Sequence, residues 1–319
     1  MTTTAASPTP DPTTAPATPP RVALATCSVL PRLDPDDAPL VPALEELGVE
    51  AVPAVWDDPD VDWSSFDAVV VRSTYDYSAR RDEFVSWAAS VPRILNPESV
   101  LRWNTHKFYL KDLEAAGVPV IPTLWLDPER NFSSRAIHTR MPAHGNFVIK
   151  PVVSAGAKDT GRYQSVDAAS RGLAITHVKE LLAQGRHVMV QPYMTSVDTA
   201  GEARLVFVDG ELAYGVTTST RLTGPHRPTQ GLYRKESTRT FEPDAAQEDV
   251  ARRALDVVGS AVPDAGTLLY ARVDLVLGED GEPTVIELEL TEPSLFMASV
   301  PGAVERFAAA IAARVLPGA

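Results

Sequence analysis

The sequence predicts an α/β protein whose C-terminal half is α+β. Over the first hundred residues, short apolar runs alternate with helical patterns, which is typical of βαβ units around a small parallel sheet. Further along the chain, Asp-Gly pairs at 209–210 and 280–281 each separate two β-rich runs and predict antiparallel hairpins. Because ligands bind beyond the carboxyl ends of parallel strands, we expect the segment 71–77 to face a ligand.

The individual elements follow from apolar periodicity, capping residues and glycine or proline breaks. Strands are predicted at 22–26, 50–56, 68–72, 147–153 and 187–191, and helices at 40–47, 81–90, 105–116, 245–258 and 304–315. Asn104 is placed to cap the third of these helices, and Gly117 to end it. A small-residue loop is predicted at 154–163, and a long helical pattern then runs to Gln184.

Composition excludes several classes of function. The 29 basic and 42 acidic residues give a net charge of −13, which argues against nucleic acid or an anionic membrane as a partner. The single cysteine, Cys27, excludes an internal disulfide and a cysteine-built zinc site. The sequence has no apolar run of membrane-spanning length and no signal-peptide pattern, so we expect a cytoplasmic protein.

We expect the chain to divide into four segments. Residues 1–20 contain six prolines and seven threonines, a composition that predicts a disordered tail. An N-terminal domain at 21–100, a central lobe at 101–190 and a C-terminal lobe at 191–319 are predicted to follow.

The second hairpin places charged side chains on one face. With the turn centred on 280–281, Asp274 lies opposite Glu287 and Arg272 lies opposite Glu289. Because side chains alternate along a strand, all four project from the same side. The predicted pairs of the other, apolar face are Val273 with Leu288 and Leu275 with Ile286.

Three carboxylates that converge on one face need a physical reason, because opposed like charges in a sheet cost about 0.2–1 kcal/mol. Mg²⁺ supplies one reason, since it binds carboxylate oxygens together with substrate phosphates. Arg272 beside them is suited to a phosphate oxygen. The alternative is a solvated polar face with one Arg–Glu pair.

Basic residues surround the small-residue loop. Lys150 ends an apolar strand, and Lys158 and Arg162 follow, so this stretch is locally positive in an acidic protein. Small residues let backbone N–H groups approach a polyphosphate, whose charge the cations neutralise. In the first hairpin, Arg204 shares a face with Glu202 and adds a further cation. Surface cations and ordinary amphipathic alternation are the alternatives.

The order of these pieces resembles the ATP-grasp superfamily of carboxylate–amine ligases over residues 21–317. The matching pieces are the early βα domain, Lys107, Lys150 with its loop, 191–194, the Arg204 hairpin, Arg-Val-Asp at 272–274 and Glu-Leu-Glu at 287–289. Within the superfamily, 72–77, 154–156 and 286–296 are similar to the O-ureido-serine cyclo-ligases of the cycloserine pathway and their actinobacterial relatives. The resemblance implies a Rossmann-like domain followed by two α+β lobes that clasp ATP.

The resemblance also implies roles for the matching residues. Those expected to bind ATP are Lys107, Lys150, Ser154, Ala155, Gly156, Lys158, Thr160, Gln191, Pro192, Tyr193 and Met194, with 154–160 as a lid and 191–194 as the adenine hinge. Arg204 and Arg272 are expected to hold the γ-phosphate, with Ser294 nearby. Those expected to ligate two Mg²⁺ ions are Asp274, Glu287 and Glu289, the last standing where most of the superfamily has Asn.

The expected substrate is a small, amino-acid-like molecule. Arg72 is suited to its carboxylate and Asp76 to its ammonium, with Ser73 and Tyr75 beside them. The alternative is that Tyr75 and its neighbour Tyr77 only cover a domain junction.

Several functions stay open at this stage. The first is a ligase that forms an amide, either intramolecularly, as in the cyclo-ligases, or between two molecules, as in a dipeptide ligase. The others are an ATP-grasp kinase and a non-catalytic nucleotide-binding protein. His226 and the loop 223–233 are expected to close on the substrate. A homodimer stays open as well.

Overall fold

The first sheet is parallel, as the N-terminal pattern predicts. The structure, a computed structural model, describes residues 18–219, 222–226 and 237–316. The elements of this part are β1 (Arg21–Thr26), α1 (Leu40–Glu46), β2 (Glu50–Val55), β3 (Ala68–Ser73), α2 (Arg81–Ser90) and β4 (Ile94–Leu95). The strand order is β2-β1-β3-β4. Cys27 follows β1 and is fully buried, as expected of a small hydrophobic residue.

The second sheet is antiparallel and carries the basic loop. Its elements are α3 (Glu98–Asn104), α4 (Tyr109–Ala115), β5 (Leu124–Leu126), α5 (Ser134–Arg140), β6 (Asn146–Pro151), β7 (Gly161–Gln164), α6 (Ala168–Ala183) and β8 (Val188–Pro192), with strand order β5-β8-β6-β7. The prediction of a loop over 154–163 is wrong at its end, where β7 begins. Tyr163 pairs with Phe147 of β6, and their stacked rings bury both side chains.

The third sheet contains both predicted hairpins. Its elements are β9 (Glu202–Val208), β10 (Glu211–Thr218), β11 (Thr238–Phe241), α7 (Ala245–Ala261), β12 (Tyr270–Leu277), β13 (Pro283–Glu289) and α8 (Ala303–Val315), with strand order β11-β10-β9-β12-β13. One face, with Leu205 and Phe207, packs against α4 and α7. The other, with Val206 and Val208, packs against α8 and the first sheet. Both faces are buried, so the third sheet holds α4 and α7 on one side and α8 and the first sheet on the other.

Asn104 does not cap a helix, contrary to the prediction of one helix over 105–116. The helix α3 ends at Asn104, and α4 begins only after a turn. The Asn104 amide donates to the Leu288 carbonyl at 2.8 Å and accepts from the Leu290 N–H at 2.8 Å. Buried backbone groups need such partners, so the side chain serves β13 instead of a helix. The turn holds Lys107 in a buried position.

The charged hairpin has the predicted register next to the charges and departs from it at a β-bulge. The confirmed pairs are Arg272 with Glu289, Val273 with Leu288 and Asp274 with Glu287. The register then shifts, and Leu275 pairs with Val285 instead of Ile286. A bulge sets two residues of one strand against one of its partner. Ile286 therefore lies beside Glu287 in a cleft, and its predicted place on the buried face is wrong.

Asn96 joins the first sheet to the third. It follows β4 with a left-handed backbone, φ 60°, which asparagine tolerates better than most residues. Its amide donates to the carbonyls of Tyr270 at 2.8 Å and Leu290 at 2.9 Å, and it accepts from the Leu269 N–H at 2.8 Å. All of these groups are buried, so no water can replace the side chain.

Some expectations lie outside this description. Most of the tail at 1–20 and most of the loop at 223–233 fall outside the described residues, and the domain boundaries at 20, 100 and 190 stay predictions. Among the helices of the described part of the chain, none combines the length and the apolar character needed to cross a bilayer.

We expect Asn96→Asp to lower the free energy of unfolding by at least about 2 kcal/mol. The substitution keeps the shape of the side chain and its tolerance of a left-handed backbone, but it removes both donated hydrogen bonds. Urea unfolding followed by circular dichroism measures the change. Gln164→Ala, on an exposed side chain of β7, is the control and should change stability by less than about 0.5 kcal/mol. Equal stability of Asn96→Asp and the unaltered protein would contradict the role of this contact.

Candidate active site

A cleft lies between the second and third sheets, and Tyr75 and Tyr77, which follow β3 of the first sheet, contribute to its lining. Its charged lining consists of the basic residues Lys107, Lys150, Arg204 and Arg272 and the acidic residues Glu202, Asp274, Glu287, Glu289 and Glu292. Predicted metal and phosphate residues therefore meet in one place, although they come from separate parts of the chain.

The three carboxylates predicted to bind metal lie together. Asp274 on β12 and Glu287 and Glu289 on β13 each place an oxygen within 4.8 Å of the others. The confirmed register causes this, because it sets Asp274 directly opposite Glu287 and leaves Glu289 two residues along the same face. A group of carboxylate oxygens at this separation is suited to a hard divalent cation.

Two lysines meet at one of these carboxylates. Lys107 Nζ lies 3.1 Å from Glu287 Oε1, and Lys150 Nζ lies 3.0 Å from the same atom. Lys107 also donates to the Ser154 carbonyl at 3.3 Å, at the start of the small-residue loop. Lys107 follows α3 and Lys150 belongs to β6, so Glu287 connects both to the third sheet.

The arginines form a second group next to the carboxylates. Arg272 donates through Nε and Nη2 to the two oxygens of Asp274, at 2.7 and 2.8 Å. It also contacts Glu289 at 2.5 Å and donates to the Ser294 carbonyl at 2.9 Å. Arg204 Nε lies 3.7 Å from Asp274. Guanidinium groups present fixed forks of donors, a geometry that matches phosphate as well as carboxylate.

Burial and charge change the pKa values of two of the carboxylates. Burial opposes the charge of Glu287, yet Lys107 and Lys150 outweigh it and hold its pKa well below the usual range. Burial raises the pKa of Glu289 to about 7, with Arg272 opposing the rise and the two other carboxylates adding to it. A cation bound among them would favour the charged form of each.

The small-residue loop turns sharply beside the cleft. Its residues that line the cleft are Ser154, Ala155, Gly156, Ala157 and Thr160. Gly156, Ala157 and Asp159 have positive φ angles of 61°, 56° and 53°. Arg186 contacts the Asp159 carboxylate at 2.6 Å and so fixes one side of the turn. Lys158, expected to bind ATP, lies outside the cleft lining.

One part of the cleft lining is apolar. Gln191, Pro192, Tyr193 and Met194 all line it, as the resemblance implies. The apolar cluster around them contains Ile121, Tyr193, Val197 and Val276, with Val148, Met194, Leu222 and Ile286 packed against it. Gln191 is 3% exposed, and its amide donates to the Thr123 hydroxyl at 2.8 Å. An apolar recess beside the end of β8 is suited to a heterocyclic base.

Arg72 and Ser73 are buried and do not line the cleft. Arg72 is fully buried and donates to Asp37 Oδ1 through Nε at 3.0 Å and Nη2 at 2.8 Å. Its Nη2 also donates to the Pro293 carbonyl at 2.8 Å, and Ser73 donates to Asp37 at 2.7 Å. The expectation that Arg72 pairs with a substrate carboxylate is therefore not supported, because a protein carboxylate already occupies it.

Asp76 is also engaged by the protein. Its carboxylate accepts from the Trp56 indole at 2.9 Å and from Arg80 at 2.8 Å. Of the four residues predicted to hold the substrate, Tyr75 is the one that lines the cleft. The proposed contact between Asp76 and an ammonium group is thus not supported either.

Two cleft residues, Tyr77 and Glu292, were not predicted as site residues. Glu292 is 9% exposed, and burial, reinforced by Glu289, raises its pKa to about 8. The pKa of Tyr77 is well above its usual range because of burial and the nearby Glu292. Glu292 lies beyond the end of β13, where strand alternation gives no prediction. Two signals were available: it extends the acidic run of 287–289, and it lies in the stretch 286–296 that resembles the cyclo-ligases.

Comparison with known proteins identifies the family. A family model described as the N-terminal domain of D-cycloserine synthetase DcsG matches residues 22–96. The chain is 37% identical over 310 residues to the cycloserine biosynthesis protein DcsG of Streptomyces lavendulae, covering 93% of this chain and 99% of that protein. The crystal structure of D-cycloserine synthetase DcsG has a TM-score of 0.82 at 36% identity, covering 93% of this chain and 100% of that one.

A more distant structure shows the same fold. D-alanine–D-alanine ligase from Bacillus anthracis has a TM-score of 0.62 at 14% identity, covering 93% of this chain and 97% of that one. The resemblance to the ATP-grasp superfamily, and the fold class that it implied, are confirmed. The chain belongs to the family of D-cycloserine synthetase DcsG and is an ATP-dependent ligase with the ATP-grasp fold.

Proposed function

We propose that this protein activates the carboxylate of a small ureido amino acid with ATP and closes the molecule into a cyclic amide, releasing ADP and phosphate. The observation that carries the proposal is the convergence of Asp274, Glu287 and Glu289 with Lys107 and Lys150 in one cleft. The substrate class is the one that the resemblance to the O-ureido-serine cyclo-ligases implies, and the Streptomyces lavendulae relative, named for cycloserine biosynthesis, supports it.

ATP would lie along the cleft with its base in the apolar part. Tyr193, Met194 and Ile286 offer apolar contacts there, next to the backbone groups of 191–194. The phosphates would then reach Lys107, Lys150 and the loop at 154–160, whose small residues allow a close approach of the backbone. The substrate would occupy the part of the cleft lined by Tyr75 and Tyr77. We infer that the protein acts on this small molecule in the cytoplasm.

The three carboxylates fit magnesium, because all of their donor atoms are hard oxygens within 4.8 Å of one another. We assign two Mg²⁺ ions to Asp274, Glu287 and Glu289. Bound there, magnesium neutralises phosphate oxygens that would otherwise repel an anionic nucleophile. Arg204 and Arg272 supply further positive charge where the transferred phosphoryl group would pass.

The chemistry needs no nucleophile from the protein. A substrate carboxylate oxygen attacks the γ-phosphorus, and ADP leaves with the electron pair of the broken P–O bond. A nitrogen of the same molecule then attacks the acyl carbon, loses its proton and expels phosphate. Water would destroy the mixed anhydride, so the loop at 154–160 serves by excluding it. Cys27, buried behind β1, takes no part.

We expect Glu287→Gln to reduce turnover at least about 100-fold, because the variant loses a metal ligand and the charge that holds Lys107 and Lys150. Release of ADP and phosphate against Mg²⁺ concentration measures the effect, and thermal unfolding checks that the fold persists. Glu282→Gln, on an exposed side chain of the same hairpin, should behave like the unaltered protein. Normal magnesium-dependent turnover by Glu287→Gln would contradict the metal assignment.

A substrate panel distinguishes cyclisation from the other reactions. We expect phosphate release with O-ureido-serine alone, without a second amine, because the nucleophile belongs to the same molecule. Mass spectrometry of the product checks for loss of the free carboxylate. Phosphate release only after an amino acid is added would indicate a dipeptide ligase, and a phosphorylated product without free phosphate would indicate a kinase. Either result would contradict the proposed reaction.

A further inference from the structure

We propose that Glu292 binds the ammonium group of the substrate and thereby selects amino acids over plain carboxylic acids. The inference deepens the proposed function and rests on it, since it names the group that holds one end of the substrate. Glu292 lines the cleft, as do Tyr75, Tyr77 and Ser294. It lies close enough to Tyr77 to raise the pKa of that phenol.

Glu292 forms no ion pair with the cations of the cleft, although Lys107 and Arg272 lie near enough to oppose the rise of its pKa. The acid–base pairs among the cleft residues are Glu202 with Arg204, Asp274 with Arg272 and Arg204, Glu287 with Lys107 and Lys150, and Glu289 with Arg272. Glu292 is the acidic residue of the lining that forms no ion pair with any residue in the described part of the chain. Apart from its own backbone N–H, it accepts no hydrogen bond there.

Burial makes this lack of a partner costly. Only 9% of Glu292 is exposed, and a carboxylate that is buried without an ion pair is unstable in its charged form. Its raised pKa reflects that cost. An ammonium group on the ligand would supply the missing opposite charge and up to three hydrogen bonds.

Metal binding does not account for Glu292. The oxygens that could share an ion belong to Asp274, Glu287 and Glu289, and Glu292 falls outside that group. Asp76, which the sequence suggested for the ammonium, is already paired with Arg80 and Trp56. Glu292 is therefore the carboxylate that remains available in the cleft for a cationic group of the substrate.

The test compares two ligands that differ only in the ammonium group: O-ureido-serine, as both enantiomers, and 3-(ureidooxy)propanoate. With the unaltered protein, we expect kcat/KM or competitive binding to favour the amino compound about 10- to 100-fold, as for one hydrogen-bonded charge. In Glu292→Gln the preference should fall to nearly 1, through a higher KM for the amino compound. Glu282→Gln should retain the full preference.

Several outcomes would overturn the inference. Equal binding of the two ligands by the unaltered protein would do so without any variant. A Glu292→Gln variant with unchanged KM but lower kcat would indicate a general base, and one that needs more Mg²⁺ would indicate a metal ligand. If the unaltered protein does not turn over O-ureido-serine, the proposed function fails by itself. The Glu292 contact is then tested with the amino acid that supports phosphate release and its des-amino analogue.

Discussion

The contact between Glu287 and two lysines determines how the parts of the active cleft are placed. Lys107 belongs to a turn between helices and Lys150 to the second sheet, whereas Glu287 belongs to the third. Both ammonium groups lie within 3.1 Å of one carboxylate oxygen, so a single atom connects three regions of the chain. Burial of separate charges would be unfavourable, but each group here has a partner that compensates for its lost water.

The same contact explains how an acidic protein can receive an anionic nucleotide. The net charge of −13 repels a triphosphate at long range, and the lysines are occupied by Glu287. A triphosphate that arrives with divalent cations offers new partners to both groups, since phosphate oxygens suit the lysines and the cations suit the carboxylates. The lysines and the carboxylates therefore have oppositely charged partners both before and after the nucleotide binds.

The sequence predicted the parts of the site that regular strand alternation controls. The pairing of Asp274, Glu287 and Arg272 was predicted correctly because one turn and a two-residue period fix the register of the strands. The bulge next to Asp274 was not visible, since an extra residue changes neither the composition nor the apolar pattern of the strand. The prediction for Asn104 was wrong for a related reason. An asparagine before a helical pattern is typical of a helix cap, but the backbone groups that Asn104 contacts lie almost 190 residues further along the chain.

Arg72 and Glu292 show where prediction from residue type reaches its limit. Both are charged residues near the end of a strand, and the sequence assigned Arg72 to the substrate. A charged side chain is available to the substrate only if the protein itself supplies no oppositely charged partner for it. Asp37, from a distant loop, forms an ion pair with Arg72, whereas no described residue forms an ion pair with Glu292. Such pairing depends on three-dimensional neighbours, so a charged side chain that the fold leaves unmatched in a cleft is the better guide to what the cleft binds.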